Sequence, residues 1–372
     1  MAPHLTACLI FSLQVLFSAS LSEPKIPFNT GVADTVRIGL LIQDKNSTAA
    51  LQAAELAVLK ANQNGGVNGL PVRLVVRSME GPWGTGSREA VSLIFDEKVT
   101  AILGSHDGRN AHLVEQVAAK SRMVFISAWT SDPTLSEAFI PWFFNCVPTD
   151  LQQADALIED ICNRRKLIKI AVVSDNSYDS QSAVNNFLKN LTKQGKHKPL
   201  LFSYDSTDKD INALTEKIIS SETDCAVLFV QPPASVKLIR QLKMKNMNLP
   251  VFGSFELLDE NHLTEKDLKD YEKVAFVSSV NLSGRAGILF SEDYKKAYGN
   301  LPGAIAAYAF DGVNVLIEAI KKAGNEREKI QKAIAEIKYE GVTGTIHFDE
   351  RGNRKGIPGF VEFKNGIPVS MK

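Results

Sequence analysis

Residues 99–135 read VTAILGSHDGRNAHLVEQVAAKSRMVFISAWTSDPTL, two short apolar runs that each stop in a loop of small polar residues. The runs at 101–103 and 123–126 are continuous and of strand length, the pattern of strands buried on both faces in a parallel sheet. Between them Leu113, Val114, Val117 and Ala118 fall on one face of a helix over 111–121, which makes the unit a strand–helix–strand crossover. Both polar loops then lie at strand carboxyl ends. That edge of an open α/β sheet is where ligands bind, and free N–H groups at the start of a following helix favour anionic groups there.

The same alternation extends outward. Strand-like runs at 36–42 and 72–76 alternate with helical patterns at 49–62 and 87–95, and Gly65, Gly66, Gly69 and Pro71 turn the chain between them. A second passage repeats the plan with strands at 168–173, 200–204 and 226–230 and helices at 182–191 and 211–219. In each passage the first strand runs into a polar loop with an Asn nearby, Gln43-Asp44-Lys45-Asn46 and Ser174-Asp175-Asn176, before a long helix. Residues 143–148 read as the link between the passages. Further strands are expected at 251–253, 274–280, 344–348 and 360–363, with helices at 235–244, 290–297, 305–323 and 328–337. Two doubly wound α/β lobes of similar plan follow from this rhythm.

Composition limits the function. At 372 residues with 44% hydrophobic and 23% charged residues the chain is globular and long enough for two domains. Forty-two basic residues against forty-two acidic ones leave no broad electrostatic case for nucleic acid. An apolar stretch from Leu5 to Phe17 followed by Ser18, Ala19 and Ser20 has the form of a secretory signal peptide over residues 1–22; a buried N-terminal helix is the alternative. Leu5-Thr6-Ala7-Cys8 precedes that apolar stretch and so does not read as a lipid-anchor site. With the leader removed, Cys146, Cys162 and Cys225 allow at most one disulfide, and no CxxC spacing points to zinc.

Enzyme motifs do not assemble. Gly81-Pro82-Trp83-Gly84-Thr85-Gly86 stands between a strand and a helix but lacks phosphate-loop spacing, and reads as a turn. Ser105, His106 and Asp107 are adjacent in sequence, so their side chains point apart rather than converge as a catalytic triad requires. His112, His197, His262 and His347 show no metal-ligand spacing. Arg240, Lys243 and Lys245 read as a solvated helix face. No catalytic residue, cofactor or metal is expected.

The order and spacing of Gly104 to Asn110, Ile126-Ser127-Ala128-Trp129-Thr130-Ser131-Asp132-Pro133-Thr134-Leu135, Asp175-Asn176-Ser177-Tyr178 and the closing Val342-Thr343-Gly344-Thr345-Ile346-His347-Phe348-Asp349-Glu350-Arg351-Gly352 resemble the type I periplasmic binding proteins of the leucine/isoleucine/valine-binding type. The resemblance implies two Rossmann-like lobes joined by three crossings, near Val147, Val280 and Val342. Lobe I would comprise 34–147 and 280–342, and lobe II 148–279 and 343–372. It implies an exported, monomeric receptor that closes around a small ligand, an amino acid in most relatives, and presents it to an ABC permease. A ligand-sensing receptor of the same fold, or a binder of another carboxylate or amide, are the alternatives.

Ligand-contact residues carry over position by position. Ser131 matches a Thr that contacts the ammonium and carboxylate region, and Trp129 a position whose main chain contributes. Gly108 stands where relatives offer a hydroxyl, with Ser105 and Asn110 close by. Asp150 matches a position that receives an ammonium group, although Pro148-Thr149-Asp150-Leu151-Gln152-Gln153 also allows it to be a helix N-cap with Gln153 at the capping-box position. Tyr178 matches an aromatic that covers the ligand, followed here by Asp179 in place of Gly. Glu256 lies one residue beyond the family's acidic position, which is Phe255 here, and Pro232 replaces a frequent Tyr. The family's frequent cysteine pair is absent, its places taken by 79–81 and Asp107.

Overall fold

A computed structural model describes residues 35–137, 140–205, 211–246 and 248–371. The expected leader over 1–22 lies outside the described residues. In chain order the elements begin with β1 (Val36–Ile42), α1 (Thr48–Gln63), β2 (Val72–Ser78), α2 (Thr85–Val91), β3 (Ala101–Ser105), α3 (Gly108–Ser121), β4 (Phe125–Ser127), the one-turn α4 (Thr134–Glu137) and β5 (Phe143–Asn145). These five strands form one parallel sheet in the order β2-β1-β3-β4-β5. Every residue of β3 and β4 is buried, as their unbroken apolar character requires.

The chain continues through α5 (Asp150–Ile158), β6 (Ile170–Ser174), α6 (Tyr178–Lys193), β7 (Leu200–Ser203), α7 (Ile211–Ser220), β8 (Cys225–Phe229), α8 (Ala234–Lys245), β9 (Val251–Gly253), α9 (Glu265–Asp270) and β10 (Val274–Ser278). It then enters α10 (Arg285–Tyr298), α11 (Ala304–Ala323) and α12 (Arg327–Ala335); α11 packs on α12 and on α1 and β3 of the first sheet, and α10 on α1. A short ribbon of β11 (Tyr339–Gly341) and β12 (Gly344–Ile346) leads to β13 (Gly359–Lys364) and β14 (Ile367–Ser370). The second sheet runs β14-β13-β10-β9-β8-β6-β7, parallel except for β13 and β14. Its last two strands are thus separated in sequence from the rest by helices that serve the first sheet. Among the described residues no helix is long and apolar enough to cross a membrane.

Three chain segments pass between the sheets, and two buried residues of opposite charge type, Arg354 and Asp311, meet on Thr343 and hold two of them, the third being joined through Val342. Arg354 donates to the Cys146 carbonyl at 3.1 Å, to Thr343 Oγ1 at 2.9 Å, to the Thr345 carbonyl at 3.1 Å and to the Thr343 carbonyl. Asp311, fully buried on α11, accepts from the Val342 and Thr343 amides and from Thr343 Oγ1 at 2.7–2.9 Å. The Asn281 amide donates to the Val342 carbonyl at 3.1 Å.

Several expectations are corrected. Residues 143–145 are the fifth strand rather than a link, because Phe143 and Phe144 are buried beside β4. The cap of α5 is Thr149, whose hydroxyl accepts from the Gln152 amide while the Gln152 side chain accepts from the Thr149 amide. Asp150 is the first residue inside the helix, which frees its carboxylate for other partners. The Arg240 face is not merely solvated: Arg240 is paired with Asp270 and Lys243 donates to the Asp270 and Glu272 carbonyls. Cys146, Cys162 and Cys225 are free thiols.

Candidate functional site

The carboxyl ends of β3 and β4 in one sheet and of β6 and β9 in the other deliver their loops to a common region. Ser131, in the loop after β4, has its Oγ 2.6 Å from Asp150 Oδ1 and 2.5 Å from Glu256 Oε1. Glu256 follows β9 in a single 3-10 turn, Phe255–Leu258, and the backbone entering it is fixed by Gln153, whose Oε1 accepts from the Phe255 amide at 3.0 Å. The second oxygen of Asp150 accepts from Ser182 Oγ on α6 at 2.7 Å. One hydroxyl carries one proton. Ser131 therefore donates to only one of its two acidic neighbours, and the other contact requires a proton on a carboxyl group. Burial, and then the charge of Glu256, raise the Asp150 carboxyl well above the usual range, in keeping with a proton held within this group.

A second cluster forms at the start of α3. Asp107 caps this helix through the Asn110 amide, and the next free amide, that of Gly108, donates to Asp179 Oδ1 at 2.9 Å. A helix N-terminus attracts an acidic group, and here that group is a side chain of α6. Gly108 has no room for more: a Cβ there would lie 2.8 Å from Asp179 Oδ1 and 2.9 Å from Thr130 Oγ1. Tyr178 donates to Asp132 Oδ2 at 2.8 Å, and His112 Nε2 stands 3.0 Å from the same oxygen. Burial works against the Asp132 charge, yet the bonds from His112 and Thr134 hold it down to about 2, while the bonds to Asp132 and Glu115 raise His112 to about 9. That pair is ionised and matched.

Asp150, Asp179 and Glu256 are not matched in this way. Burial, then the charge of Asp107, push Asp179 up to about 8 against the opposing Gly108 bond. The strongest charges acting on Asp150 come from Glu256 and Asp179, and those on Asp179 from Asp107, Glu256 and Asp132, all of them acidic side chains. Among the described residues no ion pair or hydrogen bond joins a Lys or Arg to any of the three. Glu256 is 7% exposed, and its Oε2 has no hydrogen-bond partner. No cluster of metal-ligating side chains occurs among the described residues.

The sequence-predicted residues are thus largely gathered. Ser131, Asp150 and Glu256 meet directly; Gly108 and Tyr178 belong to the adjoining cluster; Trp129 is buried, its ring edge-on to Phe255 with centroids 4.8 Å apart. Ser105 is different. It ends β3 beside Ile42, and no hydrogen bond among the described residues joins its side chain to these clusters. Asp179, Ser182, Asp132 and His112 escaped sequence reasoning. Only Asp179 left a signal, an acid where relatives carry a glycine.

Two further contacts bind the same halves of the molecule. Neither Ser47 nor Gly303 caps its own helix, α1 or α11, by a side chain. Asn261 Oδ1 accepts from the Ala49 amide at 3.1 Å, and Glu260 accepts from the Ile305 and Ala306 amides at 2.8 and 2.7 Å. Burial raises Glu260 to about 7, the two amides opposing it. Three helices packed on the first sheet are therefore capped by side chains from the second.

The description "Periplasmic binding protein" belongs to a family whose profile matches residues 35–360. A curated relative, the leucine-, isoleucine-, valine-, threonine- and alanine-binding protein of Pseudomonas aeruginosa, is 22% identical over 345 residues, 87% of this chain and 88% of its own. Among solved structures, a branched-chain amino acid transporter substrate-binding protein from Streptococcus pneumoniae, in complex with isoleucine, superposes with a TM-score of 0.79 at 20% identity, covering 91% of this chain and 99% of that one. A solute-binding protein of an ABC transporter from R. palustris, in complex with benzoate, gives 0.78 at 19% identity over 91% and 96%. At these identities the structures establish the fold.

Proposed function

From the premise that the chain belongs to the periplasmic binding protein family, whose members are extracytoplasmic binding proteins rather than enzymes, we propose that it captures a small amino-bearing solute, an amino acid as in its named relatives, and delivers it to an ABC transporter. The observation that carries this reading is the Ser131 hydroxyl held between two buried carboxyl groups, Asp150 and Glu256. An ammonium group brings three donors and a positive charge, and replaces the shared proton with a better partner for both acids. Trp129 and Tyr178 supply apolar walls. We assign the lobes as 34–147 with 280–342 and 148–279 with 343–372, a monomer closing about the segments tied by Arg354, with residues 1–22 as the export signal. Closure on a ligand then follows from contacts that the open form does not make.

A binder of a bare carboxylate, like the benzoate-bound neighbour, is the weaker reading because these three acids would repel it. Native mass spectrometry for retained ligand, followed by a thermal-shift panel of amino acids and carboxylates, separates the two. At a hundred times the dissociation constant a ligand adds about 2.7 kcal/mol to apparent stability. Ser131→Ala is expected to weaken binding of the amine by about 1–3 kcal/mol, having removed the hydroxyl both acids share. A panel in which carboxylates shift the melt and amines do not overturns the proposal.

A further inference from the structure

We infer that the solute carries a net positive charge, as a diamine, an alkylguanidine or a basic amino acid does, and that Asp150, Asp179 and Glu256 are the groups that recognise it. The inference rests on the solute-binding reading and narrows its ligand.

Two independent observations lead there. The anion site at the start of α3 is already filled from within, by the Asp179 side chain on the Gly108 amide, so a ligand carboxylate would have to displace a tethered acid. Gly108 is also enclosed by Asp179, Thr130 and Asp132, at distances that leave no space for a side-chain donor to a second anion. Second, Glu256 Oε2 is buried beside Ser131 without any partner. A buried carboxylate oxygen without a donor is costly, and a cationic N–H donor entering between Asp150 and Glu256 supplies what is missing. A zwitterion brings one positive group and a negative one. Three adjoining acids whose ionised forms repel one another, with Asp107 and Asp132 beyond them and His112 already committed to Asp132, call for more positive than negative charge.

Binding a cation ionises Asp150 and Asp179, so it releases protons. The facing groups are Asp107, Asp132, Glu256 and the Asp132-bound His112, and none of these supplies a cation to the three acids. Calorimetric titration of the purified protein with 1,5-diaminopentane, butylguanidine, lysine, leucine, benzoate and calcium chloride tests this. At least one of the three net-cationic probes is expected to bind ten-fold or more tightly than leucine, more tightly at pH 8 than at pH 6, with proton release seen as a dependence of the heat on buffer ionisation. Asp179→Asn and Glu256→Gln are each expected to weaken that binding at least ten-fold. The paired change Gly108→Ser with Asp179→Gly, which vacates the helix terminus and adds a hydroxyl, moves preference toward leucine. Leucine binding more tightly than every cationic probe overturns the inference and leaves the solute-binding reading standing. Calcium binding without amine binding overturns the inference as well. A folded protein, by circular dichroism, that binds none of the probes overturns both.

Discussion

At the crossing segments, Arg354 and Asp311 are buried with opposite charges, and between them they satisfy amides and carbonyls from two stretches of chain, Cys146 and Val342 to Thr345. Where the loops of the two sheets meet, Asp150, Asp179 and Glu256 are nearly as buried, but the charges they can carry have one sign, one oxygen has no donor, and two carboxyls contend for one serine. A closed polar network fixes a geometry and asks for nothing more. An open one of a single sign is a standing demand for something from solution.

The sharpest way to break this comparison is to remove one charge from each side. Arg354→Met leaves Asp311 buried without its cation and strips four acceptors of their donor, and is expected to cost about 3–5 kcal/mol in urea unfolding. Asp179→Asn should do the opposite at alkaline pH. A carboxyl whose folded-state pKa is raised to about 8 binds more protons folded than unfolded between its ordinary value and that point, so ligand-free stability falls as pH rises through this window, by at most about 1.4 kcal/mol per pH unit for one group. The Asn side chain keeps the acceptor for Gly108 but does not titrate. Unfolding measured from pH 5 to pH 8 is expected to show a flatter slope in the variant; Glu260, raised to about 7, keeps it from vanishing. The smallest effect belongs to Thr149→Ala, loss of an ordinary cap, at about 1 kcal/mol of stability. Should Thr149→Ala cost as much as Arg354→Met, the distinction between a network and a cap would collapse.

The parallel sheets, their helices and their order were legible because buried strands and amphipathic helices leave different periods in the apolar residues. Where the signal was short it misled: 143–148 reads as a link because three strand residues, Phe143 to Asn145, carry too little pattern to separate from the segment leading into α5. The α5 cap was ambiguous for another reason. Thr149 and Asp150 are both good caps with Gln152 and Gln153 correspondingly placed, and only the reach of the Thr149 hydroxyl to the Gln152 amide decides between them. In the site, residues on one loop could be named from spacing and family resemblance, whereas Ser182 and His112 acquire meaning only when segments distant in sequence come together. Glu256 lies one residue away from the family's position, and its Oε1 nonetheless reaches Ser131 Oγ.

The borrowed caps of α1, α3 and α11 give the molecule a built-in clock. The amides of Ala49, Gly108, Ile305 and Ala306 donate to oxygens of the opposite half, so each exchanges its hydrogen with solvent only when the halves part or the helix end frays. Where the halves part before the helix ends fray, and reclosing is slower than chemical exchange, the four sites on three separate helices would exchange in step, at the opening rate of the empty protein.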